Sequence, residues 1–421
     1  MYFNCYRVVN MFNQPPSSSS RRTETRAAAP AVTPVEALRI KHRKETLVAL
    51  RDHGPLSRVE LGRHIGLSAT TLTKVMADLI GLGWVVEAES QRPREVGRPQ
   101  IALGLVADAC EVLAVAIEAD ALTLAIVGLD LEPRAVERHA FAAVDPEATI
   151  TELAALIARH RAAHGGGARA VSVAVPGTTD SGLRNVLWAK PLGWQGVPLA
   201  ERLEALCKLP VAVHNNTRAM GLAEFRHLGL HEDQPLLFVQ TRFGLGASMV
   251  ASAAPAKNGH YGASELAALP LGKNGFRAVS TDTRLLSVVG ERYLQAVLGA
   301  GPADGPVVPL LEQRRDAGDA TARKLYAQTV DNLARGLAVA VDILQPCVVV
   351  LGGIYTPASP RCVADLLAKL REHAEPELTL DLRLQCSELG VAGALQGAAM
   401  VAYDGLLADA SAYRSRTDWQ P

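Results

Sequence analysis

Four things are missing from this 421-residue sequence, and each narrows what it can be. No apolar run approaches the roughly 20 residues that a membrane-spanning helix needs, so no membrane partner is expected. The N-terminus lacks a charged segment followed by an apolar core, the pattern of a secretory signal, which points to the cytoplasm. The six cysteines (Cys5, Cys110, Cys207, Cys347, Cys362 and Cys386) are scattered and form no Cys-x-x-Cys pair. That argues against a metal cluster and a disulfide framework, and reads them as small buried residues in a reducing compartment. Neither sign of charge is in excess: 43 Lys and Arg stand against 43 Asp and Glu. A neutral total does not exclude a nucleic-acid partner, because sign can be segregated. From Glu36 to Gln100, eleven Lys and Arg face eight Asp and Glu, with three His besides, a mild basic bias that matters only beside a motif.

What is there is a hydrophobic content of 48%, enough for two or three domains with sizeable cores. Residues 1–35, rich in Pro, Ser and Ala without a periodic apolar face, read as a flexible tail. From about Ala37, the positions Leu38, Ile40, Thr46, Leu47 and Leu50 suit one amphipathic helix ending near His53 and Gly54. Ser57 and Glu60 then form a capping box, and Val59, Leu61 and Ile65 would face inward. Gly66 permits a sharp turn, and Ser68 caps a further helix with an apolar stripe of Leu72, Val75, Met76 and Leu79. Gly81 or Gly83 ends that helix. WVVEAES and QIALGL read as two short strands joined by the basic loop QRPREVGRP. Residues 36–106 are thus expected to form a winged helix-turn-helix.

After Glu111 the texture changes. Strands such as VLAVAI, ALTLAIV, AVSVAVPG, PVAVHN, PLLFVQT and PCVVVLGG alternate with helices such as TITELAALIARHRAAHG and TARKLYAQTVDNLARGLAVAVDIL. Alternation over about 300 residues implies mixed or parallel sheets covered by helices, here in two lobes with a cleft between them. The strand-rich start of each lobe suggests a structural repeat, although no short-period sequence repeat is present.

A helix that follows a tight Gly turn and presents short polar side chains can enter a DNA major groove. Thr70, Thr71, Thr73 and Lys74 are the candidates, a Thr offering a hydroxyl to a base or phosphate and a methyl to thymine. Ser57, Arg58, Ser68 and Lys74 are candidate phosphate contacts, which set register without reading sequence. Arg92, Arg94 and Arg98 lie in the wing, where an Arg beside Gly and Pro can enter a narrow A·T-rich minor groove.

At this point the sequence resembles the regulators of the ROK (repressor, open reading frame, kinase) family. The run SRVELGRHIGLSATTLTKVMADLIGLGWVVEAE…GRPQIAL is similar to their winged helix-turn-helix. VSVAVPGTTDSG…NVLWAKPLGWQGVPLAERLEAL…LPVAVHNNTRAMGLAEF is similar to their sugar-binding lobe, and GASELAALPLG and VVVLGG follow in the family's order. The resemblance implies that residues 107–421 adopt a two-lobed, actin-like fold of the sugar-kinase type. It also implies a homodimer or homotetramer, an operator in double-stranded DNA, and control of carbohydrate genes.

The family's catalytic residues do not all carry over. Its kinases have an Asn-Asp pair where this sequence has Asn215 and Asn216, and an amide cannot accept the proton of a sugar hydroxyl as phosphoryl transfer requires. The first phosphate loop, Asp-Gly-Gly in the family, reads AIEADAL here, with Glu118 and Asp120 set to repel a phosphate. The second, rich in glycine, reads QTRFGLG, with Arg242 filling the cradle. The family's zinc-binding His is Ala268 here, and the following segment has no cysteine. No other set of thiols or imidazoles was found at zinc spacing, so neither metal nor cofactor is expected.

What remains of a ligand site is Gly177, Asn215, Asn216 and Glu265, which can bind a sugar or polyol, an altered small molecule, or nothing at all. The plainer reading of Asn215 and Asn216 is that they cap the helix TRAMGLAEF. His214, His227, His231 and His260 are expected at the surface or in caps. The sequence therefore points to a DNA-binding regulator, a repressor of carbohydrate-related genes with a kinase-inactive domain. The competing readings are an ATP-dependent sugar kinase carrying a DNA-binding head, and a ligand-independent repressor.

Overall fold

The computed structural model describes residues 33–89, 101–141, 145–164, 167–242, 244–252, 285–409 and 413. Helix α1 (Pro34–His53) starts where the Thr33 hydroxyl accepts the Glu36 amide at 3.2 Å and Pro34 needs no partner for its missing N–H. Ile40, Thr46, Leu47 and Leu50 are buried as the periodicity predicts, but Leu38 is 52% exposed. The first turns of α1 project beyond the core, which the helix reaches only at Ile40.

A strand that the sequence did not reveal, β1 (Leu56–Ser57), precedes α2 (Arg58–Ile65). The capping box forms: Glu60 N donates to Ser57 Oγ at 3.3 Å, and Ser57 N donates to the Glu60 carboxylate at 2.8 Å. That cap turns Val59 outward, 59% exposed, against the expectation, while Leu61 is fully buried. Gly66 ends α2 at φ 67°, where a side chain would be strained. Ser68 caps α3 (Ala69–Gly81), and Leu72, Val75, Met76 and Leu79 are all buried. Strands β2 (Val85–Glu89) and β3 (Ile101–Leu105) complete an antiparallel sheet of order β1-β3-β2.

The first lobe has strands β4 (Glu111–Ile117), β5 (Ala121–Val127) and β6 (Pro133–Ala140), then α4 (Pro146–Ala163) and β7 (Ala168–Val175). A small sheet of β8 (Thr178–Thr179), β9 (Val186–Ala189) and β10 (Trp194–Val197) leads to α5 (Leu199–Cys207), β11 (Val211–Asn215) and α6 (Asn216–His227). The second lobe has β12 (Leu236–Thr241), β13 (Leu245–Val250), α7 (Leu286–Val289), α8 (Glu291–Leu298), α9 (Val307–Asp316) and α10 (Ala320–Leu344). It ends with β14 (Val348–Gly353), α11 (Pro360–His373), β15 (Arg383–Cys386) and α12 (Val391–Leu406).

The sheets are ordered β11-β7-β4-β5-β6 and β15-β14-β12-β13. In each, an antiparallel hairpin opens the lobe and two parallel strands are added on the side of the first hairpin strand. Among the described residues the lobes thus repeat one topology, with β6 added at the edge of the first. Strands β4, β5, β7 and β14 are buried along nearly their whole length, on both faces, as strands sandwiched by helices require.

The last helix of each lobe covers the other lobe. Helix α6 packs on β12 and β13, and α12 packs on β4 and β7. The two helices touch so closely that a Cβ at Gly397 would overlap the Ala219 carbonyl. One apolar core runs from Leu47, Leu79 and Trp84 of the N-terminal domain through Phe225 of α6 to Ala398 and Tyr403 of α12. The N-terminal domain is thereby mounted on the pair of helices about which the lobes meet. Among the described residues, no helix is long and apolar enough to cross a membrane.

Candidate nucleic-acid interface and inter-lobe cleft

The apolar stripe of α3 faces inward, so its opposite face is presented to solvent. Thr70, Thr73 and Lys74 are exposed, Ser68 is exposed at the cap, and Thr71 is half-buried. Their hydroxyls are ordered by local bonds. Ser68 Oγ accepts the Thr71 amide at 3.2 Å and lies 2.9 Å from Thr71 Oγ1, while Thr73 Oγ1 donates to Ala69 O at 2.8 Å. A Thr so held keeps lone pairs and its methyl for a partner. Ser57 differs from its expected role, since its side chain is buried in the α2 cap. Arg58 is exposed and pairs with Glu87 of β2 at 2.6 Å. Arg92, Arg94 and Arg98 lie outside the described residues.

Behind α3, Asp78 accepts Arg39 Nε at 2.9 Å and Arg43 Nη2 at 3.0 Å, clamping α3 to α1. Burial alone would raise the Asp78 carboxyl, but the two guanidinium groups outweigh it and hold it below its usual range.

The domain is fastened to the lobes at several points. The Lys44 ammonium pairs with Asp404 of α12. Asp52 accepts Arg226 Nε of α6 at 2.9 Å, and Arg226 also donates to Arg51 O at 3.2 Å. Burial would raise the Asp52 carboxyl, yet Arg51 and Arg226 together lower it. Tyr413 stacks on Trp84 with ring centroids 5.2 Å apart, and the Arg43 and Arg169 guanidinium groups lie over Tyr413 and Trp84 at 5.0 and 5.2 Å. Sequence reasoning missed this joint, because its partners lie 174 residues apart for Asp52 and Arg226 and 360 apart for Lys44 and Asp404.

In the cleft, the structure brings Gly177 and Asn215 together. Asn215 Nδ2 donates to Gly177 O at 2.6 Å, and Asn215 Oδ1 accepts the Arg218 amide at 2.8 Å as the cap of α6. Gly177 has φ 150° and a Cβ there would overlap the Trp188 carbonyl. Asn215 thus caps α6 through its amide oxygen and is tied to Gly177 through its amide nitrogen. Asn216, half-buried, accepts the Thr217 amide at 2.7 Å. Glu265 and Ala268 lie outside the described residues. His214 is not at the surface: it is buried, with Nε2 3.0 Å from Ser172 Oγ, and burial pushes its imidazole down to about 4.

The β4–β5 turn of one lobe faces the β12–β13 turn of the other. Arg242 spans them, pairing with Glu118, with Asp120 at 3.0 Å and with Glu291 of α8 at 3.8 Å, while Arg138 approaches Glu118 at 3.7 Å. Burial works against the Arg242 charge, but the carboxylates overcome it and raise its basicity. Glu291 is raised mainly by burial. The sequence expected the two acids and the arginine each to spoil a phosphate loop; the structure joins them in one inter-lobe ion cluster.

A cavity of about 470 Å³ opens along the outer edge of β11, lined by Arg184, His214, Asn215, Arg218, Asp404 and Asp409 among others. It adjoins the joint, since Asp404 is also the partner of Lys44. The sequence reading also overlooked Glu137, His160 and His164, whose side chains meet on β6 and α4. The spacing of His160 and His164, four apart on a helix, was the available signal.

Comparison with known proteins places this architecture. The family model described as "ROK family" matches residues 112–284. The "DNA-binding transcriptional dual regulator NagC" of Escherichia coli (strain K12) is 22% identical over 369 residues, covering 83% of this chain and 89% of its own. The "Kanosamine kinase" of Amycolatopsis mediterranei (strain S699) is 28% identical over 280 residues, covering 62% of this chain and 85% of its own. A crystal structure described as a "ROK family transcriptional regulator, homolog of E.coli MLC protein" superimposes with a TM-score of 0.71 at 21% identity, covering 88% of this chain and 98% of that one. At that identity the likeness concerns the fold.

Proposed function

The chain carries a ROK family domain, and on that premise we propose that it is a cytoplasmic DNA-binding transcriptional regulator, a repressor of carbohydrate-related genes whose ROK domain does no phosphoryl transfer. The observation that carries the proposal is the polar face of α3, turned to solvent on a domain whose opposite side is fused to α6 and α12. Similarity to the regulator NagC over most of both chains supports it.

In this reading Thr70, Thr71, Thr73 and Lys74 meet base edges in the major groove, Arg58, Ser68 and Lys74 hold phosphates, and Arg94 and Arg98 enter the minor groove from the wing. Ser57 contributes through the helix end that it caps, whose amides favour a phosphate. A homo-oligomer presents two such domains to two half-sites. A sugar or related effector taken between the lobes, near Gly177, Asn215, Asn216 and Glu265, favours one lobe arrangement, and α6 and α12 pass the change to the domains mounted on them. The effector acts only to the extent that it binds one arrangement more tightly.

The kinase reading has its own relative in the kanosamine kinase, but Asn216 offers no general base. Where the resemblance puts phosphates, Arg242 is already paired with Glu118 and Asp120, whose two charges exceed its one. Selection of bound fragments from genomic DNA by the full-length protein tests the proposal. A discrete set of sites is expected, bound with an affinity that falls steeply with salt. Absence of enrichment, or ADP release from ATP with any hexose or amino sugar at about 1 per second, would overturn it.

A further inference from the structure

We propose that Glu137, His160 and His164 form a binding site for one divalent transition-metal ion of the zinc type. It lies on the first lobe, away from the cleft and from the segment that the family resemblance links to zinc. His160 and His164 stand one turn apart on α4, with ring centroids 4.6 Å from each other. Glu137 reaches them from β6: its Oε1 lies 3.2 Å from His164 Nε2 and 4.0 Å from His160 Nε2. One donor atom from each residue falls within 4.8 Å of the others. Bonds of about 2.0–2.2 Å to a tetrahedral ion separate its ligand atoms by about 3.3–3.6 Å, a span that the two observed separations bracket. The third separation, between the two histidine nitrogens, lies within 4.8 Å, so the His160 ring must turn its Nε2 away from Ala135 O for all three to meet one ion.

The surroundings fit the same chemistry. Glu137 Oε2 lies 3.1 Å from His139 Nε2, so the carboxylate is oriented from its far side, as ligating carboxylates commonly are. His160 is fully buried, and its Nδ1 has no hydrogen-bond partner. Its Nε2 lies 2.7 Å from Ala135 O. Ion binding at Nε2 moves the ring proton to Nδ1 and gives up the Ala135 bond, a cost that the metal–nitrogen bond must offset. His164 and Glu137 both reach solvent, which gives an ion a way in and leaves a fourth position for water. The ion would staple β6, the outermost strand of its sheet, to α4 beside Ala135, whose φ of 50° marks an irregular stretch of that strand.

The test is titration of the metal-free full-length protein with Co²⁺, followed by its visible absorption and by displacement with Zn²⁺, together with thermal melting in chelator and in Zn²⁺. One equivalent of Co²⁺ is expected to saturate the protein, and Zn²⁺ to raise the melting midpoint. His164→Ala is expected to weaken binding by about 100-fold and His139→Ala by about 10-fold, each melting in chelator as the unaltered protein does. If His164→Ala proves unstable in chelator, Glu137→Gln, at a part-exposed position, replaces it. Absence of saturable uptake, or uptake equally tight in both the His164 and Glu137 variants, would overturn the proposal and leave a surface cluster held by hydrogen bonds alone. Neither result bears on operator binding.

Discussion

Replacing Arg242 with Ala removes the cation that joins the two lobes and leaves Glu118, Asp120 and Glu291 facing one another. Loss of one partner from a fully buried pair costs about 3–5 kcal/mol. Arg242, Glu118 and Glu291 are 24, 14 and 19% exposed and Asp120 is 47% exposed, so water screens part of the effect. A cost of about 2 kcal/mol follows, or a fall in melting midpoint of about 4–8 °C for a domain of this size. The loss has a definite pH dependence. Glu291 already titrates above its usual range, chiefly through burial, with the Arg242 charge opposing the rise. Without Arg242 it rises further. A carboxyl raised by folding favours the folded state when protonated and loses that contribution as pH rises. The variant should therefore be most destabilised near neutral pH and recover toward the unaltered protein as pH falls into the carboxylate range. Melting curves by circular dichroism at pH 7.5 and pH 5 measure both effects. A midpoint unchanged at pH 7.5, or a larger deficit at pH 5, would refute the reasoning.

Other outcomes follow from the same geometry. Asn216→Asp should restore no kinase activity, because the Arg242 cluster still fills the space between the turns; measurable ADP release with any sugar would contradict this. Lys74→Ala should weaken binding to the selected DNA fragments and, through loss of its phosphate contact, reduce the salt slope by about 1, so an unchanged slope would remove Lys74 from the phosphate interface. Asp52→Asn should loosen the joint to α6, seen as faster trypsin cleavage within α1. Because the Asp52 carboxyl is held low, the joint's contribution is present above the usual carboxylate range and lost as pH falls through the lowered value. Cleavage rates that do not differ between the variant and the unaltered protein at pH 7 would count against the joint.

The parts of the fold that were legible in the sequence are those set by near neighbours. Ser57 with Glu60, Gly66, and Ser68 before Thr71 act over one helical turn, and their residue types allow few other conformations. The buried strands were equally plain as continuous apolar runs, and the long helix α10 through one period sustained over its length. Strand β6 was not, because its alternation is carried by Arg, Glu and His rather than by apolar residues. The short strands β8 to β10 and β15 have two to four residues each, too few for any period. Val59 misled because an apolar residue in the first turn of a capped helix need not face the core. At the candidate site, Asn215 was read both as ligand and as cap; the cap bond to the Arg218 amide is local, whereas the bond to Gly177, 38 residues away, had no local signal. The Arg242 cluster needed the two lobes to be brought together, which no local pattern describes.

The exchange of terminal helices between the lobes limits how the chain can be divided. A fragment ending before Val391 would keep every strand of the first lobe and still bare the apolar face of β4 and β7, because the cover for that face is encoded last. A chain emerging from the ribosome holds that sheet face exposed until α12 arrives. The first half of the molecule is finished by the last of it.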